Sequence, residues 1–401
     1  MDYLAFIRRE YKFLLFGFLM MGLSNFGQTF FIALYSAEIR ADFNLSNAGF
    51  GGIYSAMTLL SALIMVYSGR LIDDWPLARF TGFVLLGLAA GCVVMGLANH
   101  IVWLAVALFM LRHFGQALSS HTGMTAIGRA YDANRGQAVS LIQLGYAGFE
   151  GFFPFMAVAM IVWLGWQQSW SVYAIILVLI AVPLQLKLSR TGPSQAVDDG
   201  GEQSDVLQAD RRAVLRDKRF YLVLPLYMAS PFVLTGMFFH QVQLADVRGW
   251  DLTFLAAAFS LYAGLKVITS LLTGPMVDRY SARRILPTMA VPLILGLWLI
   301  ALPYNIAGAM TPFVYMGFLG VHLGMAGPVS GGLWPELFGT KNLGAIRSMT
   351  SPIMVASTAA SPILFGVLLD ANISFQHLAG ISIIYLIGAA MLAFLGLRDK
   401  L

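Results

Sequence analysis

Cysteine and charged residues are scarce in this sequence. It has a single cysteine, Cys92, in 401 residues, and only 11% of the residues are charged. One cysteine excludes an intramolecular disulfide framework, and so little charge cannot cover the surface of a soluble globule. In contrast, 58% of the residues are hydrophobic and the mean hydropathy is +0.75. This composition predicts a membrane protein.

Motifs for nucleotide or catalytic chemistry are also missing. The sequence contains no Gly-x-x-x-x-Gly-Lys-[Ser/Thr] loop and no catalytic constellation, so we expect neither an enzyme nor a transporter driven by ATP bound to this chain. We predict no cofactor and no resident metal. The formal charge of +5 could indicate nucleic-acid binding, but the positions of the charges favour a membrane function instead.

Apolar runs fill most of the chain. A bilayer core needs about 20 apolar residues per helix. The first run has no small-residue cleavage site, so we interpret it as a spanning helix and not as a removable signal. Residues 1–12 are interpreted as a basic lead-in at the inner interface. Twelve runs are long enough, at approximately 13–37, 50–69, 80–98, 101–127, 136–161, 169–188, 219–243, 253–275, 285–303, 310–334, 346–369 and 377–396.

The basic residues are distributed asymmetrically over the loops between these runs. Of the 25 lysines and arginines, Arg112 and Lys266 lie inside predicted helices and Arg40 and Arg248 in outer loops; the remaining 21 lie on the inner side. Positive charge is retained in the cytoplasm. We therefore predict a multi-pass protein with both termini in the cytoplasm. Its composition and short loops favour a prokaryotic inner membrane.

An internal repeat divides the chain into two halves. The charged hairpin Ser68 to Arg79 is echoed by Thr273 to Arg284, and their glycines, Gly69 and Gly274, are 205 residues apart. Such a repeat indicates two copies of one architecture. We predict an all-α membrane protein of twelve transmembrane helices in two pseudo-symmetric six-helix bundles, residues 1–190 and 219–401, joined by a hydrophilic cytoplasmic linker, residues 191–218.

Twelve helices in two halves with twin hairpins resemble the major facilitator superfamily of secondary transporters. The family's hairpin pattern is met by Gly274, Asp278, Arg279, Arg283 and Arg284, with Ser281 in place of the second glycine. In the first hairpin Gly69 and Asp73 fit the pattern, whereas Asp74 and Pro76 depart from it. Arg112 matches the arginine of the helix 4 motif, and Arg135 with Gly136 matches the start of helix 5.

The loop from Glu336 to Arg347 resembles the corresponding loop of monocarboxylate and oxalate/formate porters. This resemblance implies a cavity lined by helices 1, 4, 7 and 10, with help from helices 2, 5, 8 and 11. The sugar-porter signature after helix 6 and the strict helix 5 motif of drug/proton antiporters are missing. The resemblance to the superfamily as a whole implies alternating-access transport of a small solute.

Three charged residues lie near the middle of predicted helices, namely Arg112, Glu150 and Lys266. A charge at the bilayer centre costs roughly 2.5–3.5 kcal/mol and marks a functional site unless it has a partner. We predict that Arg112 and Lys266, one from each half, bind an anionic solute. The other predicted contacts of the solute are polar residues of the cavity helices: Asn25, Gln28, Gln116, Gln143, His240, Gln241 and His322.

Coupling to protons is the expected energy source, because a positive cavity disfavours a sodium site. Glu150 can load and release a proton as its partners change, and imidazole titrates near working pH, which nominates His113, His240 and His322. A structural alternative stays open for each: Arg112 would pair with Glu150, and the histidines and Asn25 would only join helices.

The charged residues at the cytoplasmic face are predicted to form the inner gate. In the family, ion pairs there hold the outward-facing state closed on the inside. By this resemblance the gating residues are Asp73, Arg135, Asp278, Arg279, Arg283, Glu336 and Arg347.

Three other functions stay open on sequence alone. An aromatic first helix suits efflux of drugs or metabolites by proton antiport. The chain's 20 methionines and the pair Met237 and His240 suit uptake of a soft metal such as copper. A sensor on the same fold would need a soluble signalling domain, which the sequence does not contain. The expected partners are a small solute, protons and the lipid bilayer, with no nucleic acid, and we predict a monomer.

Overall fold

A computed structural model describes residues 3–131, 134–192, 214–303, 308, 310–338 and 343–397; of residues 3, 4, 343–345, 347 and 348 it describes the backbone alone. The chain divides into two compact units, Met1–Asp198 and Asp199–Leu401. Most of the predicted linker lies outside the described residues, so its boundaries stay a prediction.

Helices account for both units. The first span, α1, is broken into Tyr3–Leu23, a 3-10 turn at Ser24–Gly27, and the helices Thr29–Ala33 and Ser36–Asp42. Within the described residues, eleven further helices are long and apolar enough to cross a membrane: α2 (Asn47–Asp74), α3 (Leu77–Gly96), α4 (Ile101–Ala130), α5 (Arg135–Leu164), α6 (Trp166–Ser189), α7 (Lys218–Phe239), α8 (Leu252–Tyr280), α9 (Ala282–Ala301), α10 (Thr311–Phe338), α11 (Met349–Asp370) and α12 (Phe375–Leu397). The predicted all-α membrane fold is confirmed, and the broken first span together with these eleven helices is roughly consistent with the predicted count of twelve.

The break in α1 differs from the continuous helix predicted over residues 13–37. At the start of the break, two side chains donate hydrogen bonds to carbonyls of the preceding turn. Ser24 Oγ donates to Met21 O at 2.6 Å, and Asn25 Nδ2 donates to Gly22 O at 2.9 Å. Such local bonds compete with the helical ladder. The chain becomes extended at Gln28, with φ −78° and ψ 149°. The break therefore leaves main-chain carbonyls in the middle of an apolar span.

A widened stretch of α4 lies against this break. Leu111–Ser119 forms a π-helix between two α-helical stretches, and π-bulges are frequent at functional sites. The two backbones touch: a Cβ atom on Gly27 would lie 2.2 Å from the Leu111 carbonyl oxygen and 2.3 Å from the Gln116 nitrogen. Only glycine permits this approach. The contact brings the next residue of α4, Arg112, beside the break.

Aromatic rings fill the core of the first unit next to the same break. Phe31 packs against Phe26 and Trp170, and the Tyr35 and Tyr173 hydroxyls are 2.8 Å apart. In the second unit, a cluster of buried aliphatic residues surrounds Trp334. Both cores are apolar, so polar side chains buried beside them need partners of their own.

Two arginines of the predicted outer loops bind main-chain carbonyls. Arg248 Nη2 donates to the carbonyls of Ile300 and Leu302, where α9 ends, with a distance of 3.1 Å to the latter. Arg40 Nε donates to Leu45 O at 3.4 Å. Cations stabilise the unpaired carbonyls at the end of a helix. These two residues therefore have structural partners within the protein.

Candidate functional site

Arg112 lies at the centre of a buried polar cluster in the first unit. Its side chain is on the π-helical stretch of α4 and the residue is 5% exposed. Nε donates to Thr58 Oγ1 at 3.0 Å, and Nη1 donates to Gly27 O at 2.9 Å. The guanidinium thus joins α4 to α2 and binds a carbonyl that the break in α1 leaves unpaired.

The partners of this guanidinium are neutral. Its Cζ lies 5.0 Å from the centroid of the Tyr54 ring on α2, a cation–π geometry. The Tyr54 hydroxyl is 2.8 Å from Thr29 Oγ1, just after the break in α1. Nη2 forms no hydrogen bond with the described residues. Arg112 therefore keeps donors that its surroundings do not use.

Glu150 lies on α5 at the edge of the same cluster and is 2% exposed. One turn earlier, Tyr146 forms a side-chain hydrogen bond with Glu150 and interacts electrostatically with Arg112. Asn25 Nδ2 donates to Tyr146 O at 3.2 Å, which ties α5 to the break in α1. Tyr146 therefore interacts with both Glu150 and Arg112, and a direct pair between these two residues stays an open alternative.

His113, although next to Arg112 in sequence, faces α2. Its Nδ1 is 3.4 Å from Ser61 Oγ, and its Nε2 is 3.1 Å from Ser68 Oγ. The ring stacks on Phe109 with centroids 5.3 Å apart. The structure thus separates the predicted proton carrier His113 from Glu150.

The three predicted glutamine contacts of this unit occupy different environments. Gln28 is half-buried at the break in α1, and Gln116 is half-buried on α4, where its carbonyl accepts from Ser120 Oγ at 2.5 Å. Gln143 is exposed on α5, and its amide lies 3.6 Å from Met124 Sδ. Gln28 and Gln116 thus belong near Arg112, while Gln143 lies apart.

Lys266 is the intramembrane cation of the second unit. It lies half-buried on α8, with Nζ 5.7 Å from the centroid of the Tyr262 ring one turn earlier. The helix α10 packs closely here, because a Cβ on Gly324 would lie 2.6 Å from the Lys266 carbonyl oxygen. The lysine is therefore held where α8 and α10 meet.

His322 is fixed by two partners inside the second unit and is 1% exposed. Nδ1 is 2.6 Å from Met289 O, and Nε2 is 2.6 Å from Ser230 Oγ. A carbonyl only accepts, so Nδ1 carries a proton, and Ser230 donates to the neutral ring at Nε2. The imidazole thus joins α7, α9 and α10, and its two nitrogens are engaged within the protein.

His240 and Gln241 lie at the junction where α7 gives way to the short helix Gln241–Arg248. They are 3% and 2% exposed, and His240 Nε2 lies 3.0 Å from Pro362 O of α11. Met237 is 1% exposed. The described residues contain no group of three His, Cys, Asp or Glu side chains that could hold a metal ion.

In the hairpin of the first unit, Asp73 pairs with Arg129. The ion pair joins the hairpin after α2 to the end of α4, and both side chains are about half exposed. Arg135, the other predicted gating residue of this unit, is exposed at the start of α5. Arg129 was missed as a gating candidate because the two residues are 56 positions apart in sequence.

In the second unit, Glu336 closes the second hairpin. Its carboxylate accepts from Ser281 Oγ at 2.6 Å, from the Ala282 nitrogen at 2.8 Å, and from Arg283 Nε at 3.3 Å. An open cavity of about 710 Å³ lies here, lined also by Asp278 and Arg279. The ion pairs Asp73–Arg129 and Glu336–Arg283 thus each lie within one unit, and the side chain of Arg347 lies outside the described residues.

The family follows from comparison of the sequence with known protein families. The sequence model of the Major Facilitator Superfamily matches residues 14–351. This chain belongs to that superfamily. Membership makes it a multi-pass secondary transporter of a small solute and not an enzyme, as predicted. No curated protein matches the sequence.

Solved structures of other superfamily transporters share the fold. A bacterial homologue of the human lysosomal transporter Spinster, inward-facing and occupied, has 15% identity and a TM-score of 0.69, covering 99% of this chain and 97% of its own. A point mutant of the nucleoside transporter NupG has 13% identity and a TM-score of 0.73, covering 98% and 100%. Such low identities establish the fold alone, and the monocarboxylate branch stays a prediction.

Proposed function

We propose that this superfamily member moves a small, monocarboxylate-like organic anion across a prokaryotic inner membrane by alternating access, coupled to protons. The observation that supports an anionic solute is the state of Arg112. This guanidinium is 5% exposed, its partners Thr58, Gly27 and Tyr54 are neutral, and Nη2 forms no hydrogen bond with the described residues.

A buried cation of this kind favours an anion as its missing partner. Removing a charge from water costs several kcal/mol, and neutral acceptors return only part of this cost. A carboxylate can take two parallel N–H groups from one guanidinium. Because Thr58 and Gly27 hold Nε and Nη1 in place, the orientation of Nη2 is fixed before a solute arrives. The cluster is therefore prepared for a carboxylate.

Lys266 is the second cation that we assign to the solute. It lies within the membrane span α8 of the other unit, and its ammonium is a point charge on a flexible stem. Asp73, Arg129, Arg135, Asp278, Arg279, Arg283, Glu336 and Arg347 are assigned to the cytoplasmic gate.

Proton coupling is assigned to Glu150 through Tyr146. An anion that binds Arg112 adds a negative charge to the cluster, and a proton taken up by Glu150 removes one. Solute binding and protonation of Glu150 then favour each other, as linkage requires. We therefore propose symport of the anion with protons.

Reconstituted protein tests the solute class. Proteoliposomes with an acidic exterior are given radiolabelled lactate, formate or oxalate, and accumulation is measured. We expect accumulation of at least one probe and a loss of at least tenfold in Arg112→Gln. Arg112→Lys retains the charge but not the fork, so an intermediate loss is expected. The control Arg190→Gln, at the exposed cytoplasmic end of α6, should match the wild type.

The same vesicles test the coupling residue. Glu150→Gln keeps the shape of the side chain but cannot ionise. We expect exchange of labelled for unlabelled probe at equal pH to persist in this variant. Accumulation driven by a pH gradient should fall at least tenfold. Asp74→Asn, an exposed acid of the hairpin, is the matched control. Accumulation that ignores the pH gradient in the wild type contradicts proton coupling. Metal-dependent uptake, or export of hydrophobic dyes without carboxylate transport, would favour the alternative functions instead.

A further inference from the structure

Tyr54 is the aromatic residue of α2 that lies beside Arg112. It is completely buried, and Arg112 Cζ lies over its ring, 5.0 Å from the centroid. Its hydroxyl is 2.8 Å from Thr29 Oγ1, which follows the break in α1. One side chain of α2 therefore contacts both the intramembrane cation and the broken span that supplies the Gly27 carbonyl to it.

Thr58 lies one turn after Tyr54 and links the tyrosine hydroxyl to the guanidinium. Residues four positions apart on an α-helix lie on one face. Thr58 forms a side-chain hydrogen bond with Tyr54, and its Oγ1 accepts from Arg112 Nε at 3.0 Å. A hydroxyl group has one hydrogen and two lone pairs, so Thr58 can accept from the arginine while it donates to the tyrosine. Arg112, Thr58, Tyr54 and Thr29 thus form one chain of contacts from α4 through α2 to α1.

A tyrosine ring fixes a guanidinium in a different way from a hydrogen-bond acceptor. The ring attracts the positive charge through its π-electrons, so it takes up none of the N–H donors that an arginine carries. An acidic side chain in the same place would take N–H groups and cancel the charge. Because Nε is bonded to Thr58 and Nη1 to Gly27 O, the contact with Tyr54 leaves Nη2 available to a solute.

The second unit repeats this pairing of a cation with a buried tyrosine. Lys266 Nζ is 5.7 Å from the centroid of the Tyr262 ring, and Tyr262 is 1% exposed. The two pairs differ in construction, because Tyr262 is on the same helix as its lysine whereas Tyr54 is on a different helix from Arg112. Packing alone does not require tyrosine at these places, since phenylalanine fills an apolar core without a hydroxyl that needs a partner. The repeat therefore favours a role for the rings in holding the two cations.

We propose that Tyr54 is a positioning residue, which sets the affinity of the transporter for its anion by holding Arg112 in the binding orientation. The proposal rests on the anionic solute proposed above. A flexible side chain must give up its rotamer freedom when a solute binds, and a side chain that is already fixed loses less. Without the ring, Nη2 would sample several positions in the cluster, and the anion would have to order it. Loss of the ring should then weaken binding and leave the conformational change that follows intact.

The test measures exchange of labelled for unlabelled probe at equal pH in the proteoliposomes above. The probe is whichever of lactate, formate and oxalate the wild type transports, and its concentration is varied. Tyr54→Leu removes the ring, and we expect KM to rise about tenfold while the maximal rate stays within about twofold. Tyr54→Phe keeps the ring but loses the hydroxyl, so KM should rise by about threefold at most.

The hydroxyl contact has a test of its own. Thr29→Val removes the other end of the bond to Tyr54 and keeps the shape of the side chain. Because both changes delete one bond, the double variant Tyr54→Phe/Thr29→Val should have the KM of Tyr54→Phe alone.

Tyr35 supplies the matched control in the same unit. It is also completely buried, its hydroxyl is 2.8 Å from that of Tyr173, and its ring packs against Phe31 and Trp170. Tyr35→Leu and Tyr35→Phe should therefore keep the KM of the wild type, even where they lower the melting temperature in detergent.

A Tyr54→Leu protein with the KM of the wild type overturns the proposal. So does an equal rise of KM in Tyr54→Leu and Tyr35→Leu, the mark of a general effect on packing, and so do equal KM values for Tyr54→Leu and Tyr54→Phe, which leave the ring no role. If Tyr54→Leu does not fold, Tyr54→Phe is compared with Tyr35→Phe: a rise of KM in the first alone supports the proposal, and equal values overturn it. Absence of transport of every probe by the wild type contradicts the proposed function instead.

Discussion

At the scale of single residues, charged side chains in both units act on backbone groups that the helices leave unpaired. Arg112 binds the carbonyl of Gly27 at the break in α1, and Arg248 binds the last carbonyls of α9. Glu336 accepts the first amides of the same helix. Such bonds involve ions and are stronger than bonds between neutral groups. These charges therefore stabilise backbone groups at the start, the break and the end of helices.

Removal of the Glu336 charge should loosen the second hairpin. Glu336→Gln keeps the size of the side chain but weakens its bonds to Ser281, Ala282 and Arg283. Bonds to charged groups contribute about 1.5–3 kcal/mol, and this site is partly exposed. We therefore expect the free energy of unfolding to fall by about 2 kcal/mol. The apparent melting temperature of the purified protein in detergent reports the change. Asp278→Asn, an exposed acid of the same hairpin, should melt as wild type. Equal melting of the two variants would contradict this role of Glu336.

The sequence reveals charged residues but not their partners. Arg112, Glu150 and Glu336 stand out because a charge in an apolar run is conspicuous. The pairing of Asp73 with Arg129 and the contacts of His113 with Ser61 and Ser68 depend on the packing of α2 against α4. The two members of each pair are 45 or more positions apart in sequence, so local sequence patterns cannot predict the pairing.

At the scale of elements, the break in α1 and the π-helical stretch of α4 form one unit of structure. Gly27 is the point of contact, because its α-carbon faces the Leu111 carbonyl and the Gln116 nitrogen. The apolar run of residues 13–37 predicts a continuous helix, and Ser24 and Asn25 break it by bonding to the preceding turn. A span length is readable from hydropathy, whereas a break depends on local side-chain bonds that hydropathy ignores.

A methyl group at Gly27 should disrupt this contact. The added Cβ would lie 2.2 Å from the Leu111 carbonyl oxygen, so α1 and α4 must separate and the bond from Arg112 to Gly27 is lost. Overpacking costs about 1–3 kcal/mol, and we expect Gly27→Ala to lower the melting temperature by several degrees and to impair transport. In Gly128→Ala, also on α4, nothing lies within 4 Å of the new Cβ. A Gly27→Ala protein as stable as Gly128→Ala would show that the backbones do not touch.

At the scale of the whole molecule, the bilayer makes the fold predictable. Spanning segments must satisfy their backbone groups internally, so length and hydropathy alone indicate helices. The repeat of the two charged hairpins predicts two halves, and the chain divides into two compact units at Asp198. The family match over residues 14–351 agrees with this architecture. The identity of the solute depends on a few side chains and is not predictable in this way.

The orientation in the membrane can be measured with introduced cysteines. Cys92 is completely buried, so the native protein should not react with maleimides and gives no background. Asn99, in the turn after α3, is exposed, and so is Asp74, in the hairpin before α3. With both termini in the cytoplasm, Asn99→Cys should react with an impermeant maleimide on intact cells, and Asp74→Cys only after permeabilisation. The reverse pattern would invert the predicted topology.

The bonds of Arg40 and Arg248 to carbonyl oxygens hold these side chains against the main chain and bear on how a solute arrives. A positive surface attracts anions over about 10 Å at moderate ionic strength, but the charges of these two arginines are outnumbered in the predicted outer loops by Asp42, Asp246, Asp251 and Asp370. An incoming anion would thus meet strong positive charge only after entering the span, at Arg112. Capture from outside would then be governed by diffusion into the cavity and would vary little with added salt.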